Sequence, residues 1–273
     1  MLQETIKEAK RIRKTDYNPE LFTREIEKTG YCVIEDMITG PILEELKEEL
    51  KGAIEKECEY HKGKGFQDYA MVLFCPKYGD SFIKLLSNED FISPVEEVMG
   101  KACIVYSYQS TSMPPNDTNY SSRIHTDCKI TIPNSYMTRF QILLALDDFT
   151  IENGATYVLP GSHHMKEAPP EDYFYEHAER LTMPKGSVWY AHSGTWHAGG
   201  ENKTSIWRHA VTVVFCRAFM KQRYDIPRML GDLDRTKHEP KSIQKLGYLA
   251  QVPASYEEYY APPELRKFTQ EVE

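Results

Sequence analysis

His125-Thr126-Asp127, with His197 seventy positions beyond the aspartate, constrains this chain more than any other feature. In a β-strand, side chains i and i+2 point to the same face. His125 and Asp127 can therefore reach one metal from one strand or strand end, with Thr126 turned away. His197 must arrive from another strand that the fold lays alongside. Two imidazoles and one carboxylate on one face of an octahedral Fe(II) leave positions open. Open positions are what an iron needs to bind a co-substrate and activate dioxygen. H-x-D by itself recurs by chance, and the same letters would fit a surface H-x-D and an unrelated core histidine. The flanking sequence decides between the two.

That sequence divides into a helical third and a strand-rich remainder. Asn18-Pro19 reads as an N-cap followed by proline at the first helical position, and Gly30 as the stop, with Leu21, Phe22 and Ile26 as the apolar face. Tyr31 to Glu35 is expected as a short strand. A second helix starts near Thr39, where Leu43, Leu46, Leu50 and Ile54 recur at helical spacing. A third runs from about Asp90 to Met99 and closes at Gly100. Strands are expected over 102–111, 139–149, 156–159, 187–197 and 205–219, with Glu152-Asn153-Gly154, Pro160-Gly161 and Gly199-Gly200-Glu201-Asn202 as turns. Short strands punctuated this way suggest an antiparallel sandwich or barrel. The polar segment 112–121 and the stretch 162–185 are candidate walls or lids. Residues after Arg223 alternate weak helix and loop, with no functional reading beyond covering the sheet.

With 273 residues the chain suffices for one large domain: a helical part over 1–100, a strand core over 101–220 and an extension over 221–273. A net charge of −8 argues against general nucleic-acid binding, which relies on excess Lys and Arg. No apolar run approaches the roughly 18–20 residues that cross a bilayer. The charged start, Met1 to Arg13, is unlike a secretory signal, and the ending Gln270-Glu271-Val272-Glu273 is no peroxisomal address. None of the six cysteines forms a C-x-x-C pair, so they read as free, mostly buried thiols of a cytoplasmic protein. Cys128, beside Asp127, reads as a strand residue facing the other way.

Four segments resemble the phytanoyl-CoA dioxygenase family of Fe(II)- and 2-oxoglutarate-dependent oxygenases. They are Gly30-Tyr31-Cys32-Val33-Ile34 with the helix after it; His125-Thr126-Asp127; Leu144-Ala145-Leu146-Asp147-Asp148 through Glu152-Asn153-Gly154-Ala155-Thr156 to Pro160-Gly161-Ser162-His163; and Gly186-Ser187 through His197, Asn202 and Arg208. The resemblance covers about residues 30 to 220 and is most specific in the last two segments. It implies a mainly β fold with flanking helices, the double-stranded β-helix or cupin-like jelly roll. It implies iron on His125, Asp127 and His197, and the distal carboxylate of 2-oxoglutarate on Arg208. Thr156 matches a position whose hydroxyl often helps bind that co-substrate. The residues supply their own reason for Arg208. It lies eleven positions after His197, on the return strand beyond a Gly-rich turn. A guanidinium there can grip a carboxylate bidentately while the other end of the same molecule chelates the metal. An ordinary strand arginine is the alternative.

The reaction expected is hydroxylation of a small-molecule metabolite with succinate and carbon dioxide as co-products. Desaturation, cyclisation, endoperoxide formation and action on an acyl-CoA stay open. Asp127 disfavours halogenation, because related halogenases lack that carboxylate. A non-catalytic ligand-binding jelly roll, or zinc hydrolysis by the same ligands, would be the other classes. The partner expected is a small, apolar or aromatic substrate, with neither nucleic acid nor membrane, and the chain is a monomer or homodimer. Asp172-Tyr173-Phe174-Tyr175 either lines the substrate pocket or packs over its mouth. His163 and His164 follow a turn and read as loop residues. Strand alternation puts His192 on the face opposite His197 and turns His209 away from Arg208.

Overall fold

A computed structural model describes residues 7–64, 71–128 and 137–266. The terminal residues on which the leader and peroxisomal readings partly rest lie outside that set.

Local sequence chemistry starts and stops the helices. In α1 (Pro19–Thr29) the Asn18 side chain accepts the Leu21 N–H at 3.0 Å, and Gly30 closes the last turn at φ 86°. α1 buries Phe22 and Ile26, one turn apart, but Leu21 is 60% exposed, contrary to expectation. It lies one position off the i, i+4 stripe. α2 (Pro41–His61) begins two residues later than expected, with Gly40 ahead of a proline at the first position. It buries Leu43, Leu46, Leu50, Ala53 and Ile54. α3 (Asp80–Leu85) follows, then α4 (Glu89–Met99), capped by Asn88, whose side chain accepts the Phe91 N–H at 3.2 Å.

Nine strands form two sheets among the described residues: β1 (Arg11–Arg13), β2 (Tyr31–Glu35), β3 (Ile104–Ser110), β4 (Arg139–Ala145), β5 (Tyr157–Val158), β6 (Glu179–Arg180), β7 (Val188–His192), β8 (His197–Ala198) and β9 (Ala210–Cys216). The larger sheet has the order β1-β2-β7-β4-β9-β3 and is antiparallel except for β1 on β2. The smaller sheet has the order β6-β5-β8. The arrangement is a β-sheet-rich jelly roll with flanking helices, and the sheets do not close into a barrel.

Alternation along β4 assigns its two faces. Phe140, Ile142 and Leu144 join Leu46, Leu50, Phe82 and Phe91 in the core under the helices. Leu143 and Ala145 join Val158, Leu181 and Trp189 in a second core between the sheets. Full burial of such apolar side chains contributes about 1.5–3 kcal/mol each. Two cores thus clamp the larger sheet from both sides.

Two expectations need correction. The single strand expected over 187–197 is two strands in different sheets. Ser193-Gly194-Thr195 reverses the chain: Thr195 N–H reaches the His192 carbonyl at 2.9 Å, and Gly194 N–H donates to His192 Nδ1 at the same distance. The stretch 162–185 is no lid. It holds a 3-10 turn (Ser162–His164), α5 (Glu171–His177) and β6, an edge strand of the smaller sheet. The tail forms short helices, α6 (Ile226–Met229), α7 (Pro240–Lys245) and α8 (Tyr256–Tyr259). α7 pins itself to α3 through Ser242 Oγ–H on the Ile83 carbonyl at 2.8 Å, and its buried Lys245 pairs with Glu96 at 2.8 Å. No described helix is long and apolar enough to cross a membrane.

Candidate metal centre

The break after His192 is what makes the site. It carries the chain from the larger sheet into the smaller one and sets His197 at the head of β8. There His197 forms an antiparallel bridge with His125, N–H to carbonyl both ways at 2.9 and 3.0 Å. Directly opposed residues of such a pair project to the same side. Register alone therefore brings the two imidazoles together, with ring centroids 4.2 Å apart. Asp127, two residues along, shares the face of His125, and its carboxylate oxygen lies 3.8 Å from His197 Nε2. One ligand atom from each of the three lies within 4.8 Å of the others. This is the one group of three or more such ligands among the described residues.

The tautomers suit a cation. His125 Nδ1 lies 2.7 Å from the Arg123 carbonyl and His197 Nδ1 3.0 Å from the Thr195 carbonyl. A carbonyl only accepts, so each Nδ1 carries the proton and each Nε2 keeps its lone pair for a metal. Backbone partners of this kind fix ring orientation in metal sites. Burial, then the neighbouring His197, holds the His125 imidazole down at about 4, against the pull of Asp127. That shift favours the neutral imidazole, the form that binds a metal. Two nitrogens and one carboxylate oxygen suit a divalent first-row metal such as iron.

The three face a cavity of about 180 Å3 between the sheets. Gln141 and Leu143 of β4, Trp189 of β7 and Thr212 of β9 line it from the larger sheet, and Thr156 and Gly199 from the smaller. Tyr120 and Ser121 make the polar segment 112–121 one of its walls, as expected. Tyr173 and Tyr175 are half-exposed on α5 and lie outside the lining, while Phe174 is buried beneath them.

Arg208 also lines the cavity and is 1% exposed. Its guanidinium donates to the Gly154 carbonyl and, at 2.9 Å, to that of Thr111, and it lies 4.1 Å over the Phe149 ring. A guanidinium has five N–H donors; these bonds use two, and the buried Nε has no partner. Among the described residues no carboxylate pairs with it. Burial, and behind it the like charge of Arg180, pulls it down to about 9, with Asp147 opposing. A buried cation without a counter-ion is costly, so an anion entering the cavity has a waiting partner. Thr156, 4% exposed, stands in the same wall.

His163, His164, His192 and His209 lie apart from the site, His192 because the turn after it ends its strand and not because of alternation along one strand. His209 turns from Arg208 and bonds Asp147 at 2.7 Å. His163 and His164 sit in the 3-10 turn with both Nε2 atoms near the Glu27 carbonyl. His192 is outside the cavity lining. All six cysteines are free, four of them buried. Sequence reasoning missed Gln141, Trp189, Arg123 and Arg223, all of which line the cavity. Gln141 was readable in principle, as a polar interruption in an otherwise apolar strand.

Comparisons with known proteins place the chain in a family and a fold. The model of the phytanoyl-CoA dioxygenase family matches residues 26–210. An uncharacterized protein of Mycobacterium tuberculosis is 29% identical over 251 residues, covering 88% of this chain and 90% of that one. A dioxygenase of Gibberella moniliformis is 29% identical over 128 residues, 45% of this chain and 40% of that one. Among solved structures, the epimerase SnoN in complex with Fe3+, alpha ketoglutarate and nogalamycin RO superposes with a TM-score of 0.57 at 19% identity, covering 81% of this chain and 92% of that one. The match to the family model spans most of the chain, the candidate metal-ligand residues included, and the chain belongs to the phytanoyl-CoA dioxygenase family of oxygenases.

Proposed function

We propose that the protein is an Fe(II)- and 2-oxoglutarate-dependent oxygenase of a small molecule. The observation that carries this reading is one cavity with two features: three converged metal ligands and a buried arginine without a counter-ion. His125, Asp127 and His197 would hold the iron. Arg208 would take the distal carboxylate of 2-oxoglutarate, with Thr156 beside it. Iron with 2-oxoglutarate bound supplies the dioxygen chemistry, in which decarboxylation to succinate and carbon dioxide is coupled to oxidation of the substrate.

The chain's own residues do the rest. The Arg123 and Thr195 carbonyls lock the imidazoles in the metal-binding tautomer. Phe149 and the Gly154 and Thr111 carbonyls hold the Arg208 plane, so its remaining N–H groups keep one direction. Trp189, 1% exposed with its ring 5.4 Å from that of His197, keeps water from that side of the site. Hydroxylation is the outcome we favour. The same fold carries an epimerase in SnoN, so the fold by itself does not fix the fate of the substrate. We read the chain as one catalytic unit, its two sheets contributing opposite halves of the site.

The test uses protein freed of metal and reloaded. With Fe(II), 2-oxoglutarate and ascorbate it should release succinate slowly without substrate, and zinc should not support this. His197→Ala should abolish the release. The reading is lost if iron-loaded protein neither binds nor turns over 2-oxoglutarate, or if zinc supports hydrolysis without dioxygen.

A further inference from the structure

We infer that the substrate carries an oxyanion, a carboxylate or a phosphate, seated at the cavity mouth by Arg123 and Arg223. The inference rests on the function proposed above and names the substrate class it would serve. It begins with charge. Ferrous iron brings two positive charges and Arg208 one; Asp127 and the two carboxylates of 2-oxoglutarate remove three. The loaded machinery is neutral. Two arginines in the cavity lining, Arg123 and Arg223, are left over. Neither is within salt-bridge distance of a carboxylate among the described residues, in a chain whose net charge is −8.

Their placement fits a rim grip. Arg123 lies two residues before His125, with its guanidinium 3.5 Å over the Tyr120 ring and donating to the Tyr120 carbonyl at 2.7 Å. Arg223 follows β9 and is tied by its backbone N–H to the Tyr106 carbonyl at 3.0 Å. Arg139, outside the cavity lining, is bonded to the Asp127 carbonyl at 3.2 Å, with a buried Nε that has no partner. Deeper in the cavity, Gln141 is fully buried and neither its amide nitrogen nor its amide oxygen is paired. Unmade polar bonds at such depth are expensive. Guanidinium forks match the planar geometry of oxyanions. A bound molecule whose anionic end meets the exposed guanidinium groups of Arg123 and Arg223 could also offer a partner to the unpaired Gln141 amide in the same lining. This departs from the apolar substrate that the composition of the loops suggested.

The experiment measures binding without turnover. Protein loaded with nickel and saturating 2-oxoglutarate is titrated calorimetrically with phenylacetate, phenyl phosphate and 2-phenylethanol. At least one anion should bind ten-fold or more tightly than the alcohol, and added salt should weaken it. Arg123→Gln/Arg223→Gln should remove that preference, the affinity falling for the anion and not for the alcohol. Equal binding of alcohol and anions by the wild type overturns the inference, as does an anion affinity unmoved by the double variant. Failure of nickel-loaded wild type to bind 2-oxoglutarate sinks the functional proposal instead. Comparing wild type with the double variant then decides the rim grip without it.

Discussion

Gly154 meets two demands at one position. Its φ of 83° lies in the left-handed region, and a Cβ there would run into the Gly200 backbone. Its carbonyl also accepts from Arg208. Gly154→Ala should cost about 1–3 kcal/mol of stability and weaken 2-oxoglutarate binding, read as a lower denaturant midpoint and a higher Kd. An unmoved midpoint would show that the turn relaxes freely. Arg208→Lys removes the fork and keeps the charge; affinity for 2-oxoglutarate should fall at least ten-fold while metal affinity holds, as paired titrations would reveal. At this scale the candidate pair His125 and Asp127 was legible because H-x-D is a local pattern whose geometry follows from the strand period. Trp189 was not, since nothing in an apolar run says which of its two faces meets a cavity; Gln141 was marked only as a polar residue among apolar ones.

Asp147, just past β4, ties three elements together. It accepts from the His209 N–H at 2.8 Å, His209 Nδ1 at 2.7 Å and Lys47 of α2 at 2.5 Å. Burial raises its carboxyl, but the bonds from His209 and Lys47 outweigh that and hold it well below the usual range. A depressed carboxyl contributes stability that is fully present above its unfolded value of about 3.9. The contribution is lost as pH falls from there toward the folded value. Asp147→Asn should therefore lower stability at pH 7 and flatten the acid limb of the stability curve below about pH 4, as denaturation across pH would display. Leu50→Ala, at a fully buried site on α2, should cost about 2–5 kcal/mol. Most elements were readable from caps and periodicity. The strand expected over 187–197 was not, because its residues have strand character on both sides of a turn at Ser193-Gly194 that local propensity cannot set against the pull of two sheets.

Across the whole molecule, the site joins two sheets that otherwise meet through a small apolar core. A metal held by His125, Asp127 and His197, which only the fold brings together, binds the folded state alone. Metal with 2-oxoglutarate should raise Tm, with about 2.7 kcal/mol of stabilisation when ligand stands at a hundred times its Kd. Chelator should reverse the shift and His125→Ala should abolish it, which thermal melts with and without metal would establish. The arginine rim belongs to this scale too. Arg123 and Arg223 are a hundred residues apart, so no window of the sequence displays them as a pair.

The sequence by itself determined the period-two ligand pair, the helix caps, the alternation that buries one face of β4 under the helices, and the arginine that follows His197. Each is a relation between residues within about a dozen positions, where backbone geometry allows few alternatives. The tertiary structure alone decided that His197 lies in register with His125, that Arg208 is buried with no carboxylate partner among the described residues, and that Arg123 and Arg223 line one cavity. Those are relations across strands, and register and burial come from packing two sheets against each other rather than from any segment's own preference.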